Sequence, residues 1–125
     1  MKRIFAIASL VVLAAIPTAA SASYMDVINM QLKPSCSFQK FVGVMNDFNK
    51  WGVKYGYTAQ LAVPLQNQDL ETIYWLGTTK NAATFGAAWD AWRDSLADAN
   101  STPAKLQARF TACSTNKVRS GYDVY

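Results

Sequence analysis

Three tryptophans, an amide and a guanidinium are the side chains of this chain best suited to hold a small molecule. Trp89 and Trp92 stand three apart in TFGAAWDAWRDS (84–95), Trp75 sits in ETIYWLG, Asn49 lies inside an apolar run, and Arg109 borders the buried stripe of a later helix. Indole rings make apolar walls, and an amide and a guanidinium add the few fixed polar groups that orient a ligand. Asn49, Trp75, Trp89, Trp92 and Arg109 are therefore the candidate ligand-binding residues. The competing use of the rings is to pack a core and leave no cavity.

Other chemistries are poorly supplied. The chain has no histidine, so it has no imidazole general base and no Ser-His or Cys-His nucleophile pair. Asp90, Asp94 and Asp98 recur every four residues, but one helix face is a poor cage and no metal is expected. The six glycines never fall into a phosphate-cradle spacing. Asp26, Glu71 and Asp123 read as single acids near strand ends without a visible partner. No cofactor is expected.

The elements that must position these residues follow a signal-like start. MKRIFAIASLVVLAAIPTAASAS has a basic opening, an apolar run over 4–16 and a small-x-small site at Ala20-Ser21-Ala22, the anatomy of a secretory signal peptide. Residues 1–22 are read as that signal, cleaved after Ala22, and 23–125 as one domain in a periplasmic or secreted protein, with no membrane association after cleavage. Removing Lys2 and Arg3 leaves ten basic against eight acidic residues, a net charge of +2. So weak a field argues against a nucleic-acid partner, and Lys105, Arg109, Lys117 and Arg119 read as solvated surface. The two cysteines, Cys36 and Cys113, are expected to form a disulfide in an oxidising compartment.

Alternation over 24–33 predicts a strand with Ile28, Met30 and Leu32 on one face and Val27, Asn29 and Gln31 on the other. Ser35 or Ser37 caps a helix over 38–55 whose stripe comprises Phe38, Phe41, Val42, Met45, Phe48 and Gly52. Asn49 falls in that stripe, so its amide either bonds a nearby backbone group or faces a ligand. Two strands follow, over 57–63 and 71–79, and then a helix over 82–99, capped by Asn81, with Phe85, Ala88, Trp89, Trp92 and Leu96 inward and the aspartates outward. A short helix follows, with Ser101 or Thr102 as its cap and Pro103 at its first helical position, and buries Leu106, Phe110 and Cys113. Residues 114–121 read as a loop, and YDVY as a short last strand.

This order gives an α+β class: a ferredoxin-like βαββαβ arrangement, a four-stranded antiparallel sheet with helices on one face. The open face, lined by Asn29, Gln31, Thr58 and Gln60, predicts a homodimer formed through it. In length and pattern, through FVGVMNDFNKWGVKYGY, ETIYWLG and AATFGAAWDAWRDSL, the chain resembles the dimeric α+β barrel superfamily, as an exported bacterial branch. That resemblance implies a cavity between sheet and helices. It also implies two family chemistries: haem binding, which uses a histidine this chain lacks, and cofactor-independent monooxygenation with Asn, Trp and Tyr around an aromatic substrate, for which Asn46, Asn49, Trp51 and Tyr55 lie on one helix in a departing spacing. Three functions stay open: binding of a small apolar or aromatic molecule, such an oxygenase, and an interaction module using the Asp90, Asp94, Asp98 face.

Overall fold

The computed structural model describes residues 21–125; the apolar leader and most of the expected signal lie outside the described residues. The elements run β1 (Ser23–Leu32), α1 (Phe38–Gly52), a single 3₁₀ turn (Val53–Tyr55), β2 (Thr58–Ala62), β3 (Ile73–Thr79), α2 (Ala82–Ser95), α3 (Thr102–Cys113) and β4 (Ser114–Val124). The strands form one antiparallel sheet in the order β2-β3-β1-β4, the ferredoxin-like order.

Local chemistry sets the helix starts. The side chains of Ser37, Asn81 and Ser101 accept from the N–H groups of Lys40, Thr84 and Ala104, satisfying one free donor in each first turn. The 3₁₀ turn that follows α1 stops where Gly56, at φ +70°, takes the left-handed conformation that a side chain disfavours and turns the chain into β2.

The helices cover one face. Met30, Ile73 and Trp75 from the sheet pack with Phe41, Val44, Phe48, Trp51, Ala88, Trp92 and Leu106. Phe48 is the hub, its ring 5.0–5.7 Å from those of Trp51, Tyr57, Trp75 and Trp92. The α1 stripe is rotated from its expected position: Val44 and Trp51 are buried, whereas Phe38 at the first position is exposed. Packing against α3 as well as the sheet broadens the buried arc beyond a single stripe.

Residues 114–121 are not a loop. They continue into an eleven-residue β4 that pairs with β1 along its length, with one bulge at Asn29/Met30. Its polar composition hid it, because an edge strand needs few apolar residues on its solvent side. The helix α2 also ends earlier than its periodicity predicts, at Ser95, where Ser101 Oγ donates to the carbonyl of Ser95 at 2.6 Å and turns the chain toward α3.

The disulfide joins Cys36, just before α1, to Cys113 at the end of α3, with a Cα separation of 5.0 Å, inside the range a disulfide spans. Both cysteines are buried.

Candidate functional site

The site is built around a carboxylate in the middle of the sheet. Asp26 sits on β1, on the face that meets the helices, and is 1 % exposed. Its register partners are Gly77 on β3 and Gly121 on β4. Two missing side chains thus open space beside one charged residue, and two phenols fill it: Tyr57 lies against Gly77 and Tyr24 against Gly121. A glycine inside a strand signals such a close approach.

The carboxylate is fully engaged. Arg119 on β4 donates from Nε to Oδ1 at 2.8 Å and from Nη2 to Oδ2 at 2.6 Å, a two-point fork. Tyr57 Oη donates to Oδ2 at 2.8 Å and accepts from Trp75 Nε1 at 2.8 Å. The chain Trp75–Tyr57–Asp26–Arg119 therefore satisfies every polar atom it buries, and no buried side-chain nitrogen or oxygen among the described residues lacks a partner. Burial, and next the Asp26 charge, push the Tyr57 hydroxyl well above its ordinary value near 10. Burial opposes the charge on Arg119, yet its bonds to Asp26 hold its pKa above the ordinary value.

A stability consequence follows for Tyr57. Its folded pKa is raised, so the neutral phenol stabilises the native state fully below the unfolded value near 10, and this contribution is lost as pH rises above it. In an alkaline titration read at the phenolate absorption band, Tyr57 is expected to ionise only together with unfolding. A native-state titration of all the tyrosines near pH 10 would contradict the burial.

Beside this network lies a cavity of about 240 Å³, lined by Ile28, Met30, Trp75, Trp89, Trp92, Phe110, Gln107, Ser114, Asn116 and Arg119. The Arg119 guanidinium carbon lies 4.1 Å from the centre of the Trp89 ring and 5.8 Å from that of Phe85. This cation–π stack contributes about 1 kcal/mol. Trp89 and Arg119 also wall an outer cleft with Tyr24, Phe85 and Ser120, so the stacked pair divides two chambers.

The structure brings together three of the five candidate residues. Trp75, Trp89 and Trp92 line the one cavity; Trp92 is buried, while Trp89 is 36 % exposed and stands at its mouth. Asn49 is elsewhere. Its amide donates to the carbonyl of Ala59 at 2.9 Å and accepts from the N–H of Ala59 at 2.7 Å, the pair of bonds a neighbouring strand would otherwise make to edge strand β2. Arg109 points outward from α3 and pairs with Asp47 at 2.8 Å. Neither lines the cavity: Asn49 is held at the outer edge of β2 and Arg109 on the outer side of α3.

Asp26, Tyr57 and Arg119 were not among the candidates. The signals were present: Asp26 interrupts the apolar face of β1, and Gly77 breaks a β-branched and aromatic strand. Reading 114–121 as a loop removed the strand that carries Arg119. Among the described residues no group of three or more His, Cys, Asp or Glu is placed to hold a metal ion.

Gly77 tests how tightly the network is built. A side chain there would overlap the Tyr57 phenol, so Gly77→Ala is expected to displace Tyr57 from Asp26 and destabilise the fold by roughly 3 kcal/mol. Gly43, mid-helix with open space around it, gives the opposite control, since Gly43→Ala should stabilise by about 0.5–1 kcal/mol. Urea denaturation of both variants checks the pair, and equal effects would refute the close approach.

Comparison with known proteins identifies the fold. No family model matches the chain, and no curated protein matches it in sequence. Among solved structures it is similar to SnoaB, a cofactor-independent oxygenase from Streptomyces nogalater, with a TM-score of 0.56 at 10 % identity over 83 % of this chain and 94 % of that one. It is similar also to the hydroxynitrile lyase of Passiflora edulis, with a TM-score of 0.56 at 16 % identity over 85 % and 96 %. A third is a conserved protein of unknown function from Bacteroides thetaiotaomicron, with a TM-score of 0.54 at 8 % identity over 83 % and 99 %. The chain has the ferredoxin-like α+β fold. At these identities the likeness speaks for fold and not for activity.

Proposed function

We propose that the protein is an exported homodimer that binds a small, flat, largely apolar molecule in the cavity walled by Trp75, Trp89 and Trp92. The observation that carries this reading is the convergence of those rings on the unspent part of one guanidinium. Arg119 has five N–H donors and gives two to Asp26, so three remain to meet a ligand oxygen. Because the Arg119–Asp26 pair is neutral overall, it suits a neutral acceptor such as a carbonyl or phenolic oxygen. An apolar cavity of about 150 Å³ accepts benzene, so about 240 Å³ suits one to two fused rings. Binding is preferred to catalysis because the carboxylate nearest the cavity is held by Arg119 and Tyr57, and so offers no ready general base.

The open face of the sheet supports the dimer. Met25, Val27, Tyr74, Leu76, Val118 and Tyr122 share it by register, and Val118 and Tyr122 are more than half exposed. Export is supported by the leader sequence and by the disulfide, and the first strand begins at Ser23, the residue that cleavage would expose.

Two measurements test the reading. Native mass spectrometry of the purified protein without reductant should find a dimer of chains starting at Ser23; a monomer at micromolar concentration would refute the dimer. Titration with 1-naphthol, followed by tryptophan quenching, should saturate, and Arg119→Met should weaken it about tenfold through the lost hydrogen bond. Unsaturable quenching, or unchanged affinity in the variant, would refute the site.

A further inference from the structure

Apart from the cavity, and sharing no lining residue with it, α1 with its following 3₁₀ turn and α3 flank a groove of about 410 Å³, lined by Asp47, Lys50, Trp51, Lys54, Thr102, Lys105, Leu106 and Arg109. Its floor is apolar, formed by the edges of the core residues Trp51 and Leu106. Its rim is cationic: four of the ten basic residues of 23–125 meet here, against one of the eight acids. The sequence separates them into two pairs, Lys50 with Lys54 and Lys105 with Arg109, each spaced i,i+4, and only helix packing brings the pairs together.

The groove's charge is not neutralised from within. Asp47 takes Lys50 Nζ and Arg109 Nη1, both at 2.8 Å, and these bonds, Lys50 first, hold its carboxyl below the ordinary carboxylate range. Among the described residues Lys54 and Lys105 make no ion pair or side-chain hydrogen bond, and the groove keeps a surplus of three positive charges. Like charges at i,i+4 repel and weaken a helix; Asp47 relieves Lys50 and Arg109, one from each pair, and leaves Lys54 and Lys105 on the groove without a counter-charge. A lone inorganic anion would leave the Trp51 and Leu106 edges uncovered.

We propose that this groove is a second ligand site, separate from the tryptophan cavity, that takes a small amphiphilic anion: a phosphate or carboxylate carried on an aromatic or short apolar body. Lys54 and Lys105 hold the anionic head, and the body covers Trp51 and Leu106. The proposal does not depend on occupancy of the cavity, with which the groove shares no lining residue.

The test titrates the purified protein with phenyl phosphate, and in parallel with inorganic phosphate, by amide chemical-shift changes at constant ionic strength. Phenyl phosphate should saturate, with shifts at Lys54, Thr102 and Lys105, and should bind several-fold more tightly than inorganic phosphate. Lys54→Ala/Lys105→Ala, both at exposed positions where folding is not at stake, should weaken it about tenfold, as expected for two exposed charge contacts. Failure to saturate, shifts confined to the tryptophan cavity, or equal affinity in the double variant would each overturn the site. Equal affinities for the two phosphates would overturn the amphiphilic assignment.

Discussion

Asp26→Asn is expected to lower stability by about 2–3 kcal/mol, although the substitution changes almost no volume. Removing one partner of a buried ion pair typically costs about 3–5 kcal/mol, because the other charge is left without compensation. Here the loss falls at or below the low end, since the Arg119 side chain is 37 % exposed and water screens what Asn cannot. Tyr57 and Trp75 remain buried and must reorganise around an amide that accepts at one atom only. Urea denaturation should show a lower midpoint with an unchanged slope. A double-mutant cycle with Arg119→Met isolates the pair, and a coupling near zero would mean that the fork has no energetic consequence. The same variant should weaken 1-naphthol, because Asp26 orients the guanidinium that faces the cavity.

The second large effect belongs to the disulfide. Cys36 and Cys113 are 77 residues apart, and closing a loop of that length in the unfolded chain stabilises the native state by about 4 kcal/mol in the chain-entropy model. For a domain of this size that is a large share of the total. The Cys36→Ser/Cys113→Ser variant should therefore unfold at a much lower denaturant concentration. Native contacts retain part of the tether, since Lys33 N–H donates to the Cys113 carbonyl at 2.9 Å and Lys33 Nζ to the Thr111 carbonyl at 2.7 Å. The fold is thus expected to survive reduction, weakened. Both sulfurs are buried, so mild reductant should act on the native protein slowly, and fast native-state reduction would show that this corner opens locally.

The two effects act at different ends of the molecule. The disulfide ties the start of α1 to the end of α3, whereas the Asp26 network pins β4 and the β2 approach to the centre of the sheet. More than 7–10 Å of packing between such features usually makes their stability effects additive.

Much of the architecture was legible in local pattern. Alternation in β1, β2 and β3 assigned each residue its face, because the side-chain period of a strand is two and one face must be buried. Asn81, and serine or threonine at 35 or 37 and at 101 or 102, marked the helix starts, because a side-chain oxygen there bonds a backbone donor that the helix leaves free; the structure selects Ser37 and Ser101. The cysteines pointed to one another because only two are present. Trp75, Trp89 and Trp92 stood out as rings in amphipathic segments.

Long-range contact decided the rest. Whether the rings close on one another or around a space depends on how α2 and α3 sit over the sheet, and no residue spacing carries that distance. Asn49 and Arg109 carry suitable chemistry, but helix packing gave one to the edge of β2 and the other to Asp47. Asp26 and Arg119 lie 93 residues apart and become partners only because β4 returns alongside β1. A charge in a strand looks like solvent exposure until the register shows glycines on both sides and a guanidinium above it. The sequence by itself determined β1 to β3 and the helix starts, since those follow from neighbours along the chain, and it implied the disulfide because only two cysteines are present; β4 became visible only from its pairing with β1. Only the tertiary structure decided which polar groups meet in the core and which meet in the outer groove, since burial makes unpaired charge costly and the fold chooses the partner.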